Sequence, residues 1–167
     1  MKIPIVNEND NLLYYKDSKD RDLRKEITRG SALWVVNEKQ EILMAKRSKN
    51  KKNFPNVWGP SVAGSVEEGE TYESNIIKEA EEEIGINLNT VILGPQKRES
   101  DNHEYFGQYF FITISSHTKF VLQASEVDEV CWVSLEKLKD WYSKKPKEFL
   151  PSFTSSLEVI ENYDFES

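Results

Sequence analysis

Glu79, Glu81, Glu82 and Glu83 occupy four of five consecutive positions in the stretch GSVEEGETYESNIIKEAEEEIG, Gly64 to Gly85. If this stretch is helical, residues three and four apart share a face, so Glu79, Glu82 and Glu83 project together. Ile77, Ala80 and Ile84 then form an apolar stripe roughly opposite. Like charges at these spacings cost a few tenths of a kcal/mol per pair. The acids also crowd the C-terminal half of the helix, where the dipole disfavours anions. Oxygen ligands grouped on one face are what a hard divalent cation such as Mg²⁺ or Ca²⁺ requires, and such an ion would reverse the sign of the repulsion. The competing reading is a solvated acidic face, the usual fate of a charge run.

The elements that must hold these groups are readable in part. Thr71 predicts an N-cap with Ser74 three residues on, and Gly85 stands just past the last apolar position as a helix stop. The Pro- and Gly-rich FPNVWGPSVAGSV ahead of it reads as a loop leading into a short strand and out again. SALWVVN and EILMAKRS are β-type runs joined by the polar NEKQ and predict a hairpin. IPIVNENDNLLYYKD predicts an N-terminal hairpin turning around Asn7 to Asn11, followed by DSKDRDLRKE as a loop or short exposed helix. NTVILG, HEYFGQYFFITIS and EVDEVCWVS read as further strands. SLEKLKDWYSKK and PSFTSSLEVIENY read as two C-terminal amphipathic helices, the second with Pro151 near its first turn. The fold class is α/β or α+β, with a mixed sheet between helices. One domain is expected over 1–167, with 1–28 as a hairpin and loop extension and 134–167 as the C-terminal helices.

Composition narrows the function. The 167 residues are 38% hydrophobic and 31% charged, the balance of a soluble globular chain. The formal net charge of -7 opposes binding to a nucleic acid polymer, which is driven by neutralising phosphates with Lys and Arg. No membrane span and no secretory leader is read, so the expected location is cytoplasmic. The single cysteine, Cys131 in EVCWV, predicts buried strand filler and excludes an internal disulfide. The two histidines, His103 and His117, have no partner spacing for a metal site and read as loop or strand surface.

Gly64, five residues, Glu70, seven residues, then Lys78-Glu79-Ala80-Glu81-Glu82-Glu83-Ile84-Gly85-Ile86 resembles the Nudix box, G-x5-E-x7-R-E-U-x-E-E-x-G-U, with U a bulky aliphatic residue. The resemblance spans 23 residues and departs at two. Lys78 stands where the family has arginine, and Ala80 is small for its aliphatic position. The resemblance implies a Nudix-type α/β/α sandwich that hydrolyses a nucleoside diphosphate linked to another group, with Mg²⁺ or Mn²⁺ as cofactor. It implies Glu79, Glu82 and Glu83 as metal-binding carboxylates, the Ala63 carbonyl as a further ligand, and Gly64, Glu70, Lys78 and Gly85 as structural. Glu70 would pair with Lys78, for which the alternative is a helix-surface pair with Glu82. Lysine lacks the planar fork of arginine, so a lowered rate is expected. The general base is left between Glu79, Glu82 and a later loop acid, for which Glu126 is favoured over Asp128 and Glu129.

On the substrate side, AKRSKNKKNF groups Lys46, Arg47, Lys49, Lys51 and Lys52 in an otherwise acidic chain. Arg47 and Lys49 are the expected phosphate contacts, with Phe54 as a further substrate contact. Phe54, Trp58 and Trp34 each could stack a base or fill the core. The strand runs around the box also resemble the branch that includes type 1 isopentenyl-diphosphate isomerase. In that comparison the cysteine position of the isomerase falls on Ala63 and its histidine positions on Ser65 and Thr28, which leaves the isomerisation without an evident proton donor. The partner expected is therefore a small nucleotide-type diphosphate. An isomerase-like activity and a non-catalytic nucleotide-binding module are the alternatives. The oligomeric state is left open, a homodimer being compatible.

Overall fold

The computed structural model of the protein describes residues 1–100 and 102–165. Strands β1 (Lys2–Val6) and β2 (Leu12–Asp17) form the expected antiparallel hairpin, Lys2 opposite Asp17 and Ile5 opposite Tyr14. Asn7 closes its turn by accepting the amides of Asn9 and Asn11. A short 3-10 turn, Ser18–Asp20, follows.

Strand β3 (Thr28–Asn37) is the axis of the fold. Its side chains alternate between two cores. Ala32, Trp34 and Val36 face one, and Leu33 and Val35 face the other. That two-sided burial is why the run is apolar at almost every position. β3 and β4 (Glu41–Arg47) were expected to zip as a hairpin, yet only Val36 and Ile42 stand in register at their turn. The two strands splay because each has other partners. β3 pairs in parallel with β8 (Glu104–Ile114) from Thr28–Tyr105 to Asn37–Ile114, and antiparallel with β6 (Val62–Ser65). β4 pairs with β5 (Trp58–Gly59) and with β9 (Val127–Ser134). β7 (Ile92–Ser100) runs antiparallel to β8 and extends well beyond the expected NTVILG. Among the described residues this makes a seven-stranded mixed sheet of core order β5-β4-β3-β8-β7.

Helix α1 (Tyr72–Ile84) covers one face, and α2 (Leu135–Lys144) and α3 (Phe153–Glu161) cover the other. The result is an α/β/α sandwich. The expected helical stretch 134–167 reaches two residues, 166 and 167, that lie outside the described residues. Trp34 and Trp58 belong to the core beneath α2 and α3, and Trp34 Nε1 donates to the Ser156 carbonyl at 3.0 Å. Cys131, expected as buried strand filler, is half-buried on β9 opposite Met44, and burial pushes its thiol up to about 11. No helix among the described residues is long and apolar enough to cross a membrane.

The carboxylate helix is fixed at both ends by its own sequence. Thr71 Oγ1 accepts the Ser74 amide at 3.0 Å, and Ser74 Oγ accepts the Thr71 amide at 2.9 Å, a reciprocal capping box. At the other end Gly85 adopts the left-handed conformation with φ 73°, and its amide bonds the carbonyls of Ala80 and Glu81. A Cβ at Gly85 would stand 2.8 Å from that of Val121. Gly85→Ala is therefore expected to destabilise the fold by at least about 1–2 kcal/mol, the left-handed penalty alone. An unshifted urea midpoint would contradict this. The buried stripe of the helix is Ile76, Ala80 and Ile84, with Ile77 only half-buried, one position from the expected register at its start.

Candidate active site

Strand β6 and helix α1 run against each other, and their contact decides where the carboxylates go. A Cβ on Gly64 would lie 2.5 Å from Glu79 Cγ and 2.7 Å from its Cδ. Only glycine lets the Glu79 side chain lie across the strand there. Glu79, Glu82 and Glu83 line a cleft of about 620 Å³, together with Ala63, Gly64 and Glu126. Glu81 points to solvent.

Glu83 is 9% exposed and its carboxyl lies against that of Glu79. Burial, the charge of Glu79 and that of Glu126 push the Glu83 carboxyl well above the usual range, against a bond from the Ala63 amide. Burial also raises Glu79, with Lys78 pulling the other way. Two carboxylates in contact in a sheltered site need either a proton or a cation between them. Their donor set is all oxygen, which suits Mg²⁺ or Mn²⁺ and not a soft metal. Among the described residues no three acidic, histidine or cysteine side chains are gathered into a preformed metal cage. Glu126, the acid across the cleft, is instead drawn onto Lys51 in an ion pair.

Lys78 lies behind this wall. Its Nζ reaches Glu67 at 2.6 Å, Glu70 at 2.8 Å and Glu79 at 3.7 Å. The expected Glu70 pair is present. The alternative partner, Glu82, is not among its contacts. Glu67 is a partner that the spacing argument missed, because it is fixed by the turn between β6 and α1. Glu70 accepts the Glu67 amide at 2.8 Å and Asn75 Nδ2 at 3.1 Å. Burial alone would raise Glu70, but these bonds and Lys78 outweigh it and hold the carboxyl below its ordinary value. Asn75 is fully buried and also bonds the Ser65 carbonyl and Ser31, tying helix to strand.

The basic residues sort differently from the sequence expectation. Arg47 lines the cleft, but its Nε and one Nη are engaged by the carbonyls of Phe54 at 2.9 Å and Asn53 at 2.8 Å. It anchors a loop in which Phe54 and Asn56 take positive φ, 49° and 61°. Phe54 stays on the cleft. Lys49 does not line it. The tight turn that bonds the Lys51 amide to the Ser48 carbonyl sends Lys51 inward, while the Lys49 amide is held by Asp128. Of the rival acids, Asp128 is occupied with that amide and Glu129 sits exposed on β9, so Glu126 alone of the three faces the cleft. The opposite rim holds His103 stacked on Tyr105, ring centroids 4.5 Å apart and 17° from parallel. His103 was expected on the general surface. The parallel β3–β8 pairing brings it to the cleft, a long-range contact with no local signal.

Comparison with known proteins agrees with the fold. The model of the NUDIX domain family matches residues 27–153. An uncharacterised Nudix hydrolase of Listeria innocua is 36% identical over 122 residues, covering 71% of this chain and 69% of that protein. An isopentenyl-diphosphate Delta-isomerase of Citrobacter koseri is 29% identical over 123 residues, covering 71% and 68%. Among solved structures, one from Deinococcus radiodurans superposes with a TM-score of 0.77 over 96% of this chain and 98% of that one, at 22% identity.

Proposed function

This chain belongs to the NUDIX domain family and is a Nudix-type pyrophosphohydrolase; from that premise we propose that it splits a phosphoanhydride bond in a small nucleoside diphosphate-linked or nucleoside di- or triphosphate substrate. In this reading Glu79, Glu82, Glu83 and the Ala63 carbonyl hold Mg²⁺ or Mn²⁺. When bound, the cation neutralises phosphoryl charge and acidifies a water. The observation that carries the reading is the contact of Glu79 and Glu83, two sheltered carboxylates that repel, on the wall of a cleft with cations opposite.

The roles follow from position. Glu126 accepts a proton from the attacking water once Lys51 releases it to meet a substrate phosphate. Arg47 keeps one Nη for the same phosphate while its other donors brace the Phe54 loop. Phe54 and the His103–Tyr105 stack offer flat surfaces for a base. Glu70 and Lys78 set the angle of Glu79.

The isomerase relative raises a rival chemistry. Thr28, Ala63 and Ser65 line the cleft where that reaction would need histidines and a thiol, and Cys131 is on β9 away from it. A binding module without turnover would have no use for crowded acids. The expected result is cleavage at an anhydride when the protein and Mg²⁺ are incubated with nucleoside di- and triphosphates, dinucleotide cofactors, nucleotide sugars and isopentenyl diphosphate. EDTA should abolish it. If no anhydride in the panel is split, the hydrolase assignment to this cleft fails.

A further inference from the structure

A sheltered cation with no acid beside it costs free energy unless something negative comes to it. The arginines of this chain divide on that point. Arg29 meets Asp10 at 2.7 Å, and Arg98 meets Glu104 at 2.6 Å and Glu8 at 3.1 Å. Arg47 is held by two carbonyls, and Arg24 is exposed to solvent. Arg21 is half-buried, yet among the described residues its guanidinium has no carboxylate partner. It makes one long bond, 3.3 Å, to Thr28 Oγ1. Burial acts on it unopposed and draws its pKa below the ordinary value. The group remains charged at neutral pH all the same.

Its position gives that charge a use. Arg21 follows the 3-10 turn Ser18–Asp20, which Asp17 caps by accepting the Lys19 amide. From there it lines both the large cleft and a second recess of about 230 Å³, which it shares with Ser18, Lys19, Thr28 and Ser65. Ser65 directly follows Gly64, so the recess opens beside the wall that carries Glu79. Arg29, which also lines both the cleft and the recess, is neutralised by Asp10, and Lys51 in the cleft is neutralised by Glu126, whereas among the described residues Arg21 has no such acid. The cleft lies within the roughly 300–1,000 Å³ of sites that take a whole small molecule, and the recess lies below it. The recess has space for an anionic group beside the cleft.

We propose that Arg21, with the Thr28 hydroxyl and Lys19 at the rim, binds a terminal phosphate of the substrate, so that nucleoside di- and triphosphates are preferred over diphosphates esterified at both ends. This rests on the phosphoanhydride reading of the cleft. A terminal phosphate offers the guanidinium fork two charged oxygens. A diphosphate capped by a second sugar brings less charge to that fork.

The test has two arms. In the first, inorganic phosphate is titrated into the metal-free protein in EDTA, following the arginine Nε–Hε resonances of the wild type, Arg21→Met and Arg21→Lys. Phosphate should shift one resonance that both variants lack, and bind at least about tenfold more weakly to Arg21→Met, with Arg21→Lys between. In the second, KM for a nucleoside triphosphate should rise at least about tenfold in Arg21→Met with kcat retained, while KM for a nucleotide sugar moves less than about twofold. Phosphate binding unchanged by Arg21→Met, or equal effects on both substrates, would overturn the proposal. If nothing is hydrolysed but phosphate still binds through Arg21, the anion site stands and the hydrolase reading is what falls.

Discussion

Glu83→Gln is expected to make the metal-free protein more stable and the enzyme at least about a hundredfold slower, the scale on which removing one preorganised electrostatic group acts. The two effects have one cause. Glu83 is held in contact with Glu79 in a sheltered position, with Glu126 adding a third negative charge. Glutamine keeps the shape and the acceptor oxygen while removing the repulsion. The sign of the pH dependence follows. A carboxyl raised in the folded state binds its proton more tightly there than in the unfolded chain, whose value is near 4.5. Stability is therefore full below about 4.5 and lost as pH rises from there through the higher folded value. The wild type should show that loss without metal and regain stability with Mg²⁺, because a ligand of the folded state alone stabilises it. Glu83→Gln should show a smaller loss and a weaker response to Mg²⁺. For a chain of this size each kcal/mol moves the thermal midpoint by about 2–4 °C, which differential scanning resolves. A lower midpoint for the metal-free variant, or turnover at the wild-type rate, would remove Glu83 from the role given to it.

What was legible in the sequence was what is encoded locally. The capping box of Thr71 and Ser74, the stop at Gly85 and the shared face of Glu79, Glu82 and Glu83 each depend on residues within a few positions, so periodicity and cap chemistry sufficed. Glu126 was reached through the family resemblance, which implies a loop acid before the strand that carries Trp132. The misses are of another kind. Lys51 and not Lys49 faces the cleft because a four-residue turn, Ser48 to Lys51, reverses the chain, and alternating directions in a basic run cannot be ordered without that turn. Arg21 and the His103–Tyr105 stack reach the site through the 3-10 turn and the parallel β3–β8 register, which join segments some 75 residues apart. The expected β3–β4 hairpin forms at its turn but splays beyond it for the same reason. Local signals named two adjacent strands correctly, but the sheet gave each a better partner elsewhere.

Lys78 is where a local departure from the family pattern acquires a structural meaning. The family's arginine would present a planar fork. Lysine presents three donors on one nitrogen, and here three carboxylates converge on it: Glu67, Glu70 and Glu79. Burial would lower its pKa, but the bonds to Glu67 and Glu70 outweigh burial and hold the ammonium well above its ordinary value. Removing that charge leaves three acids facing one another. Lys78→Met is expected to cost about 1–3 kcal/mol, the range for hydrogen bonds to charged groups, with the lower end favoured because a third of the side chain is solvated and screened. It should also cut kcat more than tenfold, because Glu79 loses the contact that sets its angle beside Gly64. Lys78→Arg is the discriminating variant. A guanidinium can grip Glu70 with two parallel bonds, but it cannot collapse onto three acceptors from one point. If the lysine is a weaker substitute for the fork, arginine should raise kcat. If the three-acid arrangement around Glu67 is an alternative solution, arginine should preserve stability and leave kcat level or lower. Lys78→Met that folds, melts and turns over like the wild type would show that the ion cluster behind the cleft does not position Glu79.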